Sequence, residues 1–452
     1  MTRPTLHRTL LTVAVLVPTV TGSLTLAGSL RVAADDGASG EVVGVEQVSV
    51  ATPQVGAEGA PAAAAWGPAP AGGPAGRPAA GTAVDGPSSA VADPLTDLPA
   101  WITSGDTAPA NPLPQADPPA PAGPVDNTVV RTDSLGMRLD AHDGDLLQAP
   151  DGTTYLYGTS YGCGFTLGRP SPYCGVRVYS TTDLSTFVPA GAVGGLYAFD
   201  HLAGPWQALC APTRSYGCYR PHVVQRPADG RYVMWVNTHH DAGYKVLVAE
   251  HPAGPFVDTG LAPELAIVPP PGGLRYGDHD LTVDPVTGHL YVTYTVIWAN
   301  DNTHQLVVER LDPSGTAGTG EFVQLAVMAP ARELVEAPAL FRAPTGTWHM
   351  VFSDPARPYR TTGSGIMDAP GPLGPWTNRR ALSPDSCGGQ PAGVWPIRTS
   401  TGRTAYVYGS DRWDEGKGNQ AAAENYYGEL TFTARGGTSI DAHRCQSTWT
   451  LR

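Results

Sequence analysis

His222–Asn237 reads HVVQRPADGRYVMWVN: an apolar strand, a polar turn carrying Gly230, then an aromatic strand. Two such runs joined by a glycine turn predict a β-hairpin. The unit recurs as DLLQAPDGTTYLYGTS at Asp145–Ser160, LTVDPVTGHLYVTYT at Leu281–Thr295, ALFRAPTGTWHMVFS at Ala339–Ser353 and VWPIRTSTGRTAYVYGS at Val394–Ser410. The turn glycines Gly152, Gly230, Gly288, Gly346 and Gly402 stand 78, 58, 58 and 56 positions apart. Further strands follow in several units, as in GVRVYSTTDLSTFVPAG, GYKVLVAEHPAGPFVDTG and GSGIMDAPGPLGPWTN. Four strands per unit at a period near 58 predict an all-β, five-bladed β-propeller over 125–452. A β-sandwich is the rival architecture, and it does not require five similar units.

Composition agrees. Of 452 residues, 54 are Gly and 45 are Pro, which favours turns and short strands over long helices. The net charge of −13, with no cluster of Lys and Arg, argues against a nucleic-acid partner.

The N-terminus reads as an export signal over about 1–34. Arg3, His7 and Arg8 precede an apolar run from Leu10 to Val20, and the small residues Gly22, Ala27, Ala33 and Ala34 follow. That run is too short to span a bilayer. The expectation is a secreted, extracellular protein without membrane insertion after cleavage; an uncleaved anchor is the alternative. Residues 35–124 are rich in Ala, Pro and Gly and are predicted to be a disordered linker, because such a segment buries too little apolar surface to fold. Trp66 and Trp101 lie within it.

Six cysteines suit an oxidising compartment and allow fifteen pairings. Local spacing favours Cys163 with Cys174 and Cys210 with Cys218, leaving Cys387 with Cys445. The absence of a C-x-x-C pair argues against a cysteine zinc site.

In a propeller the inner strand of each blade starts at the central channel, so polar residues there are candidates for function. They are Asp140, His142, Asp143 and Asp145 in blade one, Arg220 and His222 in blade two, Asp278, His279 and Asp280 in blade three, Glu336 in blade four and Gln390 in blade five. Glu336 stands in the apolar context LVEAPAL, where burial would raise a carboxyl pKa and suit it to proton donation. Trp235, Trp298, Trp376, Trp395 and Trp413 could pack between blades or stack on sugars. Trp413, in a polar loop beside Asp411 and Arg412, is the best sugar platform among them.

From Arg131 to Leu451 the chain resembles the family 43 glycoside hydrolases. The likeness rests on the order and spacing of DGTTYLYGTSYGCGF, YCGVRVYSTTDLSTF, RPHVVQRPADGRYVMWVN, DLTVDPVTGHLYVTYT, VEAPALF and GPLGPWTN. It implies three carboxylates. The base matches Asp143 in DGDLL, with Asp145 as rival; the auxiliary acid matches Asp278, six residues before Asp284; the proton donor matches Glu336. It implies single displacement with inversion, requiring neither metal nor organic cofactor. Within the family the exo-β-1,3-galactanases share AHDG and GGQP-like segments, but there a Gly replaces the base and the blade-five Gln assists the water. This chain has both Asp143 and Gln390, and Tyr219 where that subgroup often has an acid.

The expected activity is hydrolysis of galactan- or arabinose-containing polysaccharide by a monomer. Asp145, Arg220, His222, Gln390 and Trp413 are the expected substrate contacts. A non-catalytic carbohydrate-binding propeller at the cell surface is the alternative, and a structural cell-surface protein a third. GTSYG (Gly158 to Gly162) matches a serine-hydrolase elbow but lacks the helix that elbow needs. The adjacent His239 and His240 are predicted to lie in a loop. DAHDGD lacks the downstream Glu of a helical calcium loop.

Overall fold

The computed structural model describes the backbone of residues 11–18 and 24–32. It also describes residues 123–451 except 167–169, 212–216, 239–242, 268–273, 299–302, 326–334, 355–361, 414–419 and 433–438. The chain divides into two units, 1–87 and 88–452. In the first, β1 (Leu11–Pro18) pairs antiparallel with β2 (Leu24–Val32) across the apolar run expected as an export signal. Most of the expected linker, with Trp66 and Trp101, lies outside the described residues, as do His239 and His240.

From Val125 the chain forms five successive antiparallel sheets. Blade I holds β4 (His142–Gln148), β5 (Thr154–Thr159), β6 (Val176–Thr181) and β7 (Val188–Pro189). Blade II holds β8 (Cys218–Gln225), β9 (Tyr232–Thr238), β10 (Gly243–Ala249) and β11 (Val257–Asp258). Blade III holds β12 (Leu274–Val283), β13 (Leu290–Trp298), β14 (Thr303–Leu311) and β15 (Gly318–Gln324). Blade IV holds β16 (Glu336–Arg342), β17 (Trp348–Asp354), β18 (Gly363–Ala369) and β19 (Thr377–Ser383). Blade V has three described strands, β20 (Gln390–Arg398), β21 (Thr404–Arg412) and β22 (Glu424–Glu429).

The residue pattern dictates the ring. β9 is buried at every position, so both of its faces are covered. Successive side chains on a strand point to opposite faces. Val233 and Trp235 accordingly pack with Leu290, Val292 and Tyr294 of blade III, while Tyr232, Met234 and Val236 pack with Tyr157 and Val178 of blade I. The second strand of every other blade divides the same way. Among the described residues an apolar cluster lies between each consecutive pair of blades, with blade V packed on blade I. Each inner strand (β4, β8, β12, β16, β20) also lies against the inner strands of both neighbouring blades. A sandwich would have two sheets facing one another; here every sheet faces two others.

Among the described residues blade V has three strands, and two segments from either end of the propeller lie beside it. β3 (Val125–Asp126) pairs with β23 (Thr448–Trp449) beside that blade. The buried Asn127 side chain joins both to β22. Its Nδ2 donates to Tyr427 O at 2.7 Å and Gln446 O at 2.9 Å, and its Oδ1 accepts the Tyr427 N–H at 3.1 Å. Three disulfides form as the spacing suggested: Cys163–Cys174, Cys210–Cys218 and Cys387–Cys445. The last spans 58 positions and links the start of blade V to the C-terminal segment.

Two predictions concern this closure. Asn127→Ala leaves the Tyr427 N–H without its acceptor, while the Tyr427 carbonyl keeps the Trp449 indole N–H, and should cost about 1–3 kcal/mol in urea unfolding. Replacing Cys387 and Cys445 together by Ala releases a long loop and should cost about 2–4 kcal/mol. A loss below about 0.5 kcal/mol in either would contradict the closure described.

Candidate active site

Every inner strand breaks register near its start: between His142 and Asp145, Tyr219 and His222, Tyr276 and His279, Glu336 and Ala339, and Pro391 and Gly393. An extra residue at such a break bends the strand and re-aims its side chains. Pro221, Pro338 and Pro391 sit at these breaks, where a missing N–H costs no ladder bond. Asp143, Arg220 and Ala337 adopt left-handed backbone there, with φ of 51°, 51° and 55°. For a residue with a side chain this costs roughly 1–3 kcal/mol, so surrounding bonds must hold it. Gly144 is required beside Asp143, because a Cβ there would come within 2.3 Å of Tyr157 O.

The breaks bring residues from all five blades together. Glu336 begins β16 and is buried. Its backbone N–H donates to Ser353 Oγ at 3.0 Å. Its carboxylate accepts the Gln390 amide on Oε1 at 2.9 Å, and His304 Nδ1 lies 3.7 Å from Oε2. Gln390 Oε1 in turn accepts the Trp413 indole N–H at 3.4 Å. Arg220, wholly buried, ties three blades. Its Nε pairs with Asp278 Oδ1 at 3.0 Å, and its Nη2 donates to Pro391 O at 2.7 Å.

Asp143 completes the group. Its Oδ2 accepts the Tyr161 hydroxyl at 3.0 Å, and its backbone N–H donates to Asp411 Oδ2 at 2.7 Å. Burial pushes its carboxyl up to about 7; the Asp411 charge and, more weakly, that of Asp278 add to this, while Arg220 and the Tyr161 bond oppose it. His142 lies between Asp411 and Asp140, at 3.5 and 3.4 Å, and stacks on Tyr161. Burial disfavours its charge, but the two carboxylates outweigh burial and push it up to about 10. Burial likewise works against the Asp140 charge. His142, Ser160 Oγ and the Tyr161 N–H overcome it and bring Asp140 down to about 2.

Asp145 and His222, two of the expected substrate contacts, bond to neighbouring blades. Asp145 Oδ2 accepts the Val223 N–H at 2.7 Å and Oδ1 the Trp395 indole N–H at 2.6 Å, which clamps blade I to blades II and V. Burial, only partly offset by His222, pushes its carboxyl up to about 6. His222 Nδ1 bonds Asp280 at 2.9 Å, and Asp280 Oδ2 accepts the Leu340 N–H, joining blades II, III and IV. Both residues stand just past a register break and serve contacts between blades. Ser160 of GTSYG donates to Asp140, and a turn follows it where the elbow would need a helix. Among the described residues no group of three or more His, Cys, Asp or Glu could hold a metal ion.

Sequence reasoning missed Asp411, Tyr161, His304 and Ser353, because it searched only the starts of inner strands. Counting outward from the Gly402 turn sets Arg412 opposite Gln390; the register break between Pro391 and Gly393 moves Asp411 into that place, so the sequence carried no direct signal for it.

No protein-family model matches the sequence, and no curated protein matches it. Solved structures do. A family 43 β-1,3-galactosidase with bound galactodeoxynojirimycin is 19% identical with a TM-score of 0.55, covering 71% of this chain and 100% of that one. An exo-β-1,3-galactanase of Phanerochaete chrysosporium with galactose is 20% identical with a TM-score of 0.56, covering 73% of this chain and 69% of that one. An exo-β-1,3-galactanase of Clostridium thermocellum is 19% identical with a TM-score of 0.56, covering 70% of this chain and 64% of that one. Five sheets closed into one ring, with TM-scores of 0.55 to 0.56 to these structures, give this chain the five-bladed β-propeller fold of the family 43 glycoside hydrolases.

Proposed function

We propose that the protein is a glycoside hydrolase that cleaves galactan- or arabinose-containing polysaccharide by single displacement with inversion. One observation carries this reading: the buried Asp143 and Glu336 and the part-exposed Asp278, from three blades, belong to one group joined through Arg220, Gln390 and the backbone of blade V. Two carboxyl groups in different surroundings suit one to donate a proton and the other to accept one. Glu336 is the acid and protonates the departing oxygen. Asp143 is the base and draws a proton from the attacking water. Asp278 fixes Arg220, whose positive charge balances the acids.

Gln390 bears on the choice of base. Its amide nitrogen is committed to Glu336 and its oxygen to Trp413. This supports Gln390 as a holder of the acid, with Asp143 acting on the water. The half-buried Trp413 ring, tilted against His142 and Tyr161, suits the face of a sugar. β-1,3-Linked galactan is the first substrate to try, since one similar structure carries β-1,3-galactotriose. Three disulfides suit an oxidising compartment and support secretion. A monomer remains the expected state.

Glu336→Gln should lower kcat on any cleaved glycan by about 10²–10⁴-fold while melting stays near that of the parent. Normal turnover would remove the acid assignment, and binding without cleavage by the intact protein would favour a carbohydrate-binding module. If Asp143 is the base it must be ionised, so kcat/KM should fall about tenfold per pH unit below about pH 7. The same residue links to stability. A carboxyl raised by burial contributes stability that is complete below its unfolded value and is lost as pH rises through about 7. Asp143→Asn should therefore abolish activity, yet raise stability at pH 8 by about 4 kcal/mol, with no gain near pH 3.

A further inference from the structure

Asp411 lies at the end of β21, the second strand of blade V, and is 2% exposed. Its Oδ2 accepts the backbone N–H of Asp143, the residue with left-handed backbone at the break in β4. Its Oδ1 faces the His142 ring, which also faces Asp140. Asp140 is anchored by Ser160 Oγ at 2.6 Å and by the N–H groups of Tyr161 and Gly162. An unbroken line of contacts thus runs from the β5 end through Asp140, His142 and Asp411 to the backbone of Asp143. A neutral acceptor would satisfy that N–H. The Asp411 charge faces the His142 ring on one side and, on the other, opposes ionisation of the buried Asp143 carboxyl beside it.

We propose that Asp411 is the positioning residue of the base: held by His142, it locks Asp143 in its left-handed conformation and keeps a negative charge beside it. This rests on the reading of Asp143 as base. Asp411 acts through Asp143 and needs no contact with substrate. The groups facing Asp143 are Asp411 from β21, Arg220 from β8, Asp278 from β12, Tyr161 after β5 and His142 on its own strand; Tyr161, Tyr427 and His142 face Asp411. Arg220 and Tyr161 favour ionised Asp143, whereas Asp411 and Asp278 oppose it. Asp411 is the stronger of the two opposing charges, so its loss should make the base weaker.

Two variants separate the roles. Asp411→Asn keeps an acceptor for the Asp143 N–H but removes the charge; Asp411→Ala removes both. The first readout needs no substrate. Carbon-13 NMR titration of the intact protein, with the Asp143 carboxyl assigned by its loss in Asp143→Asn, should give a midpoint near 7 in the parent and at least tenfold higher acidity in Asp411→Asn. The second readout is kcat and KM against pH on the oligosaccharide that the parent cleaves, β-1,3-galactotriose first. Asp411→Asn should move the acidic limb downward with it. Asp411→Ala should lower kcat by about 10²-fold with KM within threefold, and Asn should restore part of the loss. An unmoved Asp143 midpoint in Asp411→Asn would overturn the proposal, and so would full kcat in a folded Asp411→Ala. Turnover by Asp143→Asn would instead remove the base assignment itself. If the parent cleaves nothing, the NMR midpoints alone decide.

Discussion

Five inner strands run side by side around one ring, and each carries an extra residue near its start. The ladder cannot absorb that residue, because the following part of the strand is locked in register by side chains buried on both faces. The excess therefore appears as a break at the strand start, the one end with room for it. There the backbone of Asp143 and Arg220 turns left-handed, and side chains from different blades meet. Remove the register lock and the acids of the site lose their common address.

The lock is apolar first and polar second. Trp235, Tyr157, Tyr294 and Tyr408 are wholly buried between blades, and truncating one such ring costs about 3–5 kcal/mol. Around the axis the blades are then fastened by buried polar clamps. Asp145 reaches blades II and V, Asp280 reaches blades II and IV, and Arg220 reaches blades III and V. Each clamp leaves a buried donor or acceptor unpaired if it slips, so the ring tolerates one alignment of its blades. That rigidity holds the strained backbone at Asp143.

Much of this was legible in the amino-acid order. Second strands buried on both faces read as runs such as YVMWVN and YVTYT, and the turn glycine between strands marks each hairpin. Asp143, Asp278 and Glu336 lay among the polar residues at the starts of inner strands, and it was the resemblance to the family 43 glycoside hydrolases that singled out those three. The side-chain direction of a polar residue next to a register break was not legible. Asp145 and His222 look like channel residues in sequence, yet the break sends them into contacts between blades. Asp411, Tyr161 and His304 were hidden for another reason. Asp411 ends a second strand, Tyr161 follows one and His304 begins a third strand, and only the closure of blade V on blade I brings Asp411 to Asp143.

An acid and a base on opposite sides of a sugar ring leave a stereochemical record. Proton NMR of the first sugar released, taken before mutarotation, reads that record directly. Attack by a water activated at Asp143, with Glu336 donating to the leaving group, yields the anomer opposite to that of the substrate. Release of the same anomer would mean a covalent intermediate, and would contradict the assignment of Asp143 as a base acting through water.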